Sequence, residues 1–285
     1  MLVISDLHWR ADTPSWRREA DYSRQVLRPQ LGALLDTGEA VCVAGDVFHR
    51  SADFEATYDL LSFLIERDAR LYAVRGQHDM KYHNETLSET GFNLLAQVGR
   101  IVPLDENPIE IEGHTVCGYG WGRELPQCGA DILIAHVSVS CGNAVIKGAP
   151  SAESFRAKAA KFRTVFTGDN HKRFEIPRLY NAGCFHQQTA DLADQPPAAW
   201  RVDADGCVSL WVFPSPEPMV DEAYAMRGEK GTHVAGEEFV KALAEAKSKG
   251  GADVFLTILR NAKTSVEGAA ALLRDTIRLC EEAHT

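Results

Sequence analysis

Nine residues of this chain combine the chemistry of metal binding with that of proton transfer: Asp6, His8, Asp46, Gln77, His78, Asp79, His136, Asp169 and His171. Carboxylate, imidazole and amide donors in one set suit Mn, Fe, Zn or Mg, so the set alone leaves the metal open. They fall in five short stretches, at residues 2–9 (LVISDLHW), 41–50 (VCVAGDVFHR), 71–79 (LYAVRGQHD), 132–136 (ILIAH) and 164–171 (TVFTGDNH). Each is an apolar run that stops at polar residues. Asp46 reads most easily as a carboxylate shared by two ions.

Short apolar runs bounded by turn residues read as buried strands. In open α/β sheets, sites gather at the carboxyl ends of strands, so five such runs would bring their polar ends to one edge. Asp6 and His8, two apart, are expected on the same face of the first strand, able to grip one ion together.

The elements between these runs follow from periodicity. Residues 21–35 carry Val26, Leu27, Leu31, Leu34 and Leu35 at helical spacing, with Pro29 expected to kink or split the helix. Residues 54–67 place Phe54, Tyr58, Leu61 and Ile65 on one face and predict a second helix. A weaker helical pattern spans 87–98, a hairpin is expected over 108–120 turning at Glu112 and Gly113, and a polar helix over 151–162 is capped near its Pro-Ser start. Strand patterns return over 179–213, with Asp205-Gly206 as a hairpin turn.

Pro214, Pro216 and Pro218 then break regular structure, and residues 237–247, 252–262 and 265–283 read as helices. The last carries Val266, Ala270, Leu273, Ile277 and Cys280 on one stripe, which needs a covering surface, either this chain's own core or another protein. The expected architecture is a layered α/β/β/α sandwich with mixed sheets over residues 1–215 and a C-terminal helical extension over 216–285.

At 285 residues and 45% hydrophobic content, the chain can bury a substantial core. No apolar stretch approaches a membrane span, and Met1 leads directly into the first strand, so a cytoplasmic protein is expected. Seven scattered cysteines, never in CxxC spacing, argue for a reducing compartment and against thiolate metal sites. A formal charge of -10 argues against a passive polyanion-binding surface but does not exclude a phosphodiester, since bound cations would reverse the sign at the ligand carboxylates.

Several other residues have weaker claims. His49 reaches substrate or simply packs, and His83, His114, His233 and His284 read as surface. Trp9 and Trp121 are candidates to flank the site, although aromatic burial is the commoner reason for such residues. Arg10, Arg50, Lys172 and Arg173 directly follow the motifs; solvated surface is the default for each, phosphate contact the alternative.

In order, the motifs DLH, GD, GQHD, H and GDNH resemble the signature DxH, GD, GNH[DE], H, GHxH of the calcineurin-like metallophosphoesterases over residues 1–171. That resemblance implies two divalent ions, Mn first. Asp6, His8 and His171 would hold one, Gln77, His136 and Asp169 the other, with Asp46 bridging. It further implies in-line attack by a water of lowered pKa, His78 assisting the leaving oxygen, and Asp79 fixing the tautomer of His78. Gln77 stands for the usual asparagine and Asp169 for a histidine; both keep ligand chemistry.

Within the superfamily, GDVFHR and the tract TGDNHKRFEIPRLYNAGCFHQQ resemble the SbcD-type DNA repair nucleases, and the short chain and the GQHD and GDNH spellings resemble phage-borne versions. This implies DNA as substrate and an SbcC-like ATPase partner docked through the C-terminal helices, with a homodimer left open. The alternatives are a phosphodiesterase of cyclic nucleotides or dinucleotides, which would share every ligand, and a non-catalytic scaffold.

Overall fold

The computed structural model describes residues 1–84 and 89–219. These belong to one compact unit, Met1–Asp221. The helices expected at 237–247, 252–262 and 265–283 lie outside the described residues.

Two six-stranded mixed sheets form the body. The first runs β12-β11-β1-β2-β3-β4, built from β1 (Leu2–Ile4), β2 (Val41–Val43), β3 (Leu71–Ala73), β4 (Ile101–Pro103), β11 (Ala198–Val202) and β12 (Val208–Val212). The second runs β5-β6-β7-β8-β10-β9, from β5 (Ile109–Ile111), β6 (His114–Tyr119), β7 (Ile132–Ala135), β8 (Thr164–Thr167), β9 (Phe174–Ile176) and β10 (Leu179–Asn181). Strands β1 to β4 are mutually parallel, as are β6, β7 and β8. Their carboxyl ends therefore lie together within each sheet.

Alternation along each strand sorts side chains between layers. Leu2, Ile4, Val41 and Val43 pack outward with Leu31, Leu60 and Leu64, whereas Val3 and Cys42 face inward with Ile132, Ile134 and Phe166 from the second sheet. On the far side of that sheet, Leu133, Ala135 and Val165 pack with Ala152 and Phe155. The outer layers are α1 (Arg28–Leu35) and α2 (Phe54–Glu66) on one side and α4 (Ala152–Lys158) on the other. This is the expected α/β/β/α order.

Three local outcomes refine the expectations. Pro29 enters α1 at its first turn, behind a wide π-helical turn over Ser23–Leu27; the proline has no N–H to close a normal turn there, and the split falls where it was expected. Helix α2 forms with Asp53 as its cap, accepting from the Ala56 N–H at 3.0 Å. Its buried face, however, is Ala56, Thr57, Leu60, Phe63 and Leu64. The stripe that announced the helix points largely outward, with Phe54 81%, Tyr58 65% and Ile65 53% exposed. The helix is apolar on two sides, and periodicity alone does not choose between them.

The hairpin between β5 and β6 turns at Glu112 and Gly113, both at positive φ, as the twist of a two-residue connection demands. His114 is a correction: it is buried on β6, its Nε2 2.8 Å from the Asp203 carbonyl. Helix α3 (Gly91–Gln97) covers the described part of the weak 87–98 pattern. Among the described residues no helix is long and apolar enough to cross a membrane.

Candidate metal centre

Every predicted ligand follows the carboxyl end of a parallel strand. Asp6 and His8 come after β1, Asp46 after β2, Gln77 and His78 after β3, His136 after β7, and Asp169 and His171 after β8. The reason Asp6 and His8 converge differs from the one expected. Strand β1 ends at Ile4, and both residues lie beyond it in left-handed backbone, with φ of 50° and 43°. Asp46 and Asp169 share that conformation, at 50° and 70°. Non-glycine residues are uncommon in this region, Asp and His less so than most, and such conformations concentrate at functional sites.

Glycines let the segments come this close. A Cβ on Gly45 would stand 2.1 Å from His136 Nδ1, and one on Gly76 would stand 2.0 Å from Asp46 Oδ1. The glycines that precede Asp46 and Gln77 are thus steric requirements of a neighbouring ligand.

The side chains gather in two groups around Asp46. In the first, the ligand atoms of Asp6, His8 and His171 lie within 4.8 Å of one another. Nε2 of His8 is 3.2 Å from Nε2 of His171 and 3.9 Å from Asp6 Oδ1. In the second, His136 Nε2 is 2.8 Å from Gln77 Oε1 and 3.7 Å from Asp169 Oδ1, and Gln77 Nε2 donates to Asp169 Oδ1 at 2.6 Å. Asp46 Oδ2 sits between the groups, 3.8 Å from His8 Nε2 and 3.4 Å from His136 Nε2. All seven expected ligands are brought together, and the longer Gln77 side chain is accommodated between His136 and Asp169.

Several features mark this as a place for cations. Asp46 Oδ2 is buried and has no hydrogen-bond partner among the described residues, which is costly for a carboxylate oxygen unless something positive faces it. Two imidazole nitrogens 3.2 Å apart, those of His8 and His171, need a proton or a cation between their lone pairs. The charge balance agrees. Burial would raise the Asp46 carboxyl, but His136 and His78 together outweigh it and hold the group below the usual range. Burial would in turn lower His136, yet Asp46 beside it lifts the ring to about 10. His8 is instead pushed well below its ordinary value by burial and then by His171, and burial raises Asp6 despite His171 and His136. The donor set fits a pair of hard or borderline divalent ions.

His78 lies over Asp46, with Nε2 4.0 Å from Oδ2 and its side chain 41% exposed. The group that orients it is the His49 backbone carbonyl, which accepts from Nδ1 at 2.8 Å. Asp79, expected in that role, does something else. Its buried carboxylate accepts from the N–H groups of Val47, Phe48 and Gly76 at 3.2, 2.9 and 3.0 Å, tying the loop after Asp46 to the loop before His78. Burial and then the neighbouring Asp46 lift its carboxyl to about 7.

Sequence reasoning passed over two residues behind the centre. Gln188 places its amide 3.2 Å from His171 Nδ1, and His186 Nδ1 is 2.7 Å from the Tyr22 hydroxyl in a buried setting. Both lie in the CFHQQ end of a tract that stood out only as a whole. Of the weaker candidates, Trp9 is buried and donates to Asp59 at 2.8 Å, while Trp121 is partly exposed and its backbone N–H donates to the Arg75 carbonyl at 3.0 Å. Arg10 is buried rather than solvated, 2.8 Å from Asp12.

Residues 1–173 match the calcineurin-like phosphoesterase family. No individual curated protein matches the chain.

Proposed function

Because the chain belongs to the calcineurin-like phosphoesterase family, which hydrolyses phosphoesters with divalent metal ions, we propose that it is a DNA phosphodiesterase of the SbcD nuclease type with Mn as its working metal. In this reading Asp6, His8 and His171 would hold one ion, Gln77, His136 and Asp169 the other, and Asp46 would serve both. Ions bound there supply Lewis-acid polarisation of the phosphoryl group and lower the pKa of the attacking water.

The protein's own contribution is orientation and a proton. With Nδ1 committed to the His49 carbonyl, His78 has Nε2 free to face the phosphate and to protonate or stabilise the departing oxygen. Asp79 keeps the segments carrying Asp46 and His78 in register, so that the acid and the shared carboxylate move as one piece.

The observation that carries the nuclease reading is the openness of this edge. The His78 and His171 side chains are 41% and 34% exposed, whereas those of Asp6, His8, Asp46 and His136 are buried. A strand can be laid across such an edge, and the GDVFHR segment, which resembles the SbcD-type nucleases, borders it. The experiment is release of nucleotides from linear DNA with Mn, run beside cyclic and dinucleotide substrates. Turnover of the small diesters with DNA left intact at equal enzyme would defeat it.

One observation favours that second reading. Three of the four cations next to the motifs are engaged by carboxylates: Arg50 lies 3.4 Å from Asp12, which also holds Arg10, and Lys172 lies 3.8 Å from Asp191, while Arg173 donates to the Pro196 carbonyl at 2.9 Å. Paired cations attract a phosphate backbone weakly. An SbcC-like ATPase partner docked through the helices expected from the C-terminal sequence belongs to the same proposal, tested by loss of co-purification when residues 235–285 are deleted.

A further inference from the structure

Away from the metal centre, two cysteines from different segments meet. Cys117 is buried on β6, and Cys128 is half-buried in the loop that leads to β7. The Cys128 thiol donates to Cys117 Sγ with the sulfurs 2.9 Å apart. A disulfide bond spans about 2.05 Å, so an approach of roughly 0.9 Å would close it. The other described cysteines, Cys42, Cys141, Cys184 and Cys207, have no such neighbour.

We propose that Cys117 and Cys128 form a reversible disulfide that fastens the 120–128 loop to β6. The oxidant is a low-molecular-weight disulfide, R–S–S–R. The more accessible Cys128 attacks one of its sulfurs, forming a Cys128–S–S–R bond and expelling a thiolate that takes up the Cys128 proton. Cys117 then attacks Cys128 Sγ, forming the internal disulfide, and the second expelled thiolate takes the Cys117 proton. Two protein thiols lose two electrons, and one R–S–S–R becomes two R–SH. Burial, followed by the adjacent Cys128, raises the Cys117 thiol, so the closing step is the slower one.

The bond would matter because of what the loop touches. The Trp121 N–H donates to the Arg75 carbonyl at 3.0 Å, one residue before Gly76. At the end of β6, the Tyr119 carbonyl accepts from the His136 N–H at 2.8 Å. The cross-link therefore ties together the two backbone paths that lead to Gln77 and His136.

The test is to treat the full chain with oxidised glutathione, alkylate the remaining thiols after unfolding, and map the peptides by mass spectrometry. The expected product joins the Cys117 and Cys128 peptides, loses both alkylation sites together, and is reversed by dithiothreitol. Cys117→Ser should instead accumulate a glutathione adduct on Cys128. A stable adduct on Cys128 in the unmutated protein, with Cys117 still alkylated, would overturn the proposal, as would two unreacted thiols under the same treatment.

Discussion

The two halves of the metal centre are built to different tolerances. Around His136 nothing is loose: Nδ1 is 2.7 Å from the Ala44 carbonyl, Nε2 meets Gln77, and Gln77 in turn holds Asp169. The half formed by Asp6, His8 and His171 is less constrained. His8 Nδ1 has no hydrogen-bond partner among the described residues, and His171 is partly exposed and braced through the Gln188 side chain rather than the backbone. Outer partners fix the orientation and basicity of an imidazole ligand. The second half is thus preorganised, while the first is more open and more easily rearranged. Gradual chelation should remove the first-half ion before the other.

The largest test removes what the halves share. Asp46→Ala should abolish binding of both ions and essentially all turnover, measured as metal stoichiometry by elemental analysis. If one ion remained at full occupancy, that half would be independent of the shared carboxylate. Next comes His78→Ala, which leaves the ligands in place and should keep both ions while lowering kcat by about 10²- to 10⁴-fold, the usual worth of a positioned acid. Loss of metal in that variant would make His78 a ligand instead.

Much of this centre was legible in the chain because each ligand terminates an apolar run, and a run's end fixes where its polar residues emerge. The layer order was legible too, since strand patterns alternating with helical ones and then giving way to hairpins predict a layered sandwich. What could not be read was set by contacts distant in sequence. Spacing put Asp6 and His8 on a strand; the fold carries them beyond its end in left-handed backbone. The family resemblance implied that Asp79 orients His78, whereas the acceptor is a backbone carbonyl at His49, invisible to any reading of side-chain types. On α2 the stripe of Phe54, Tyr58 and Ile65 was as periodic as the one actually buried.

A smaller effect sharpens the contrast between the halves. Gln188→Ala withdraws the amide from His171 and should weaken the first-half ion by about 10-fold, at the lower end for loss of such a partner. The second-half ion should be unchanged, so a two-site titration would show one affinity moving and the other fixed. Equal weakening of both would mean that the halves are mechanically one unit.

The subtlest difference is in protons. Asp46 lifts His136 to about 10, so without metal this ring is protonated at neutral pH, and an ion arriving at its Nε2 must displace that proton. His8, pushed down by burial, brings none. Affinity in the second half should therefore rise up to tenfold per pH unit between about 7 and 9 and level off near 10, where the ring is already neutral. The metal-free protein should do the reverse. A raised histidine contributes stability that is fully present below its ordinary value of 6.5 and is lost as pH rises through about 10, so the metal-free Tm should fall over that window. Calorimetric titration in buffers of different ionisation enthalpy would read the proton directly. Release of close to one proton with the second-half ion at pH 7.5 is the expected result, and an affinity independent of pH would remove the electrostatic half of the comparison while leaving its geometry intact.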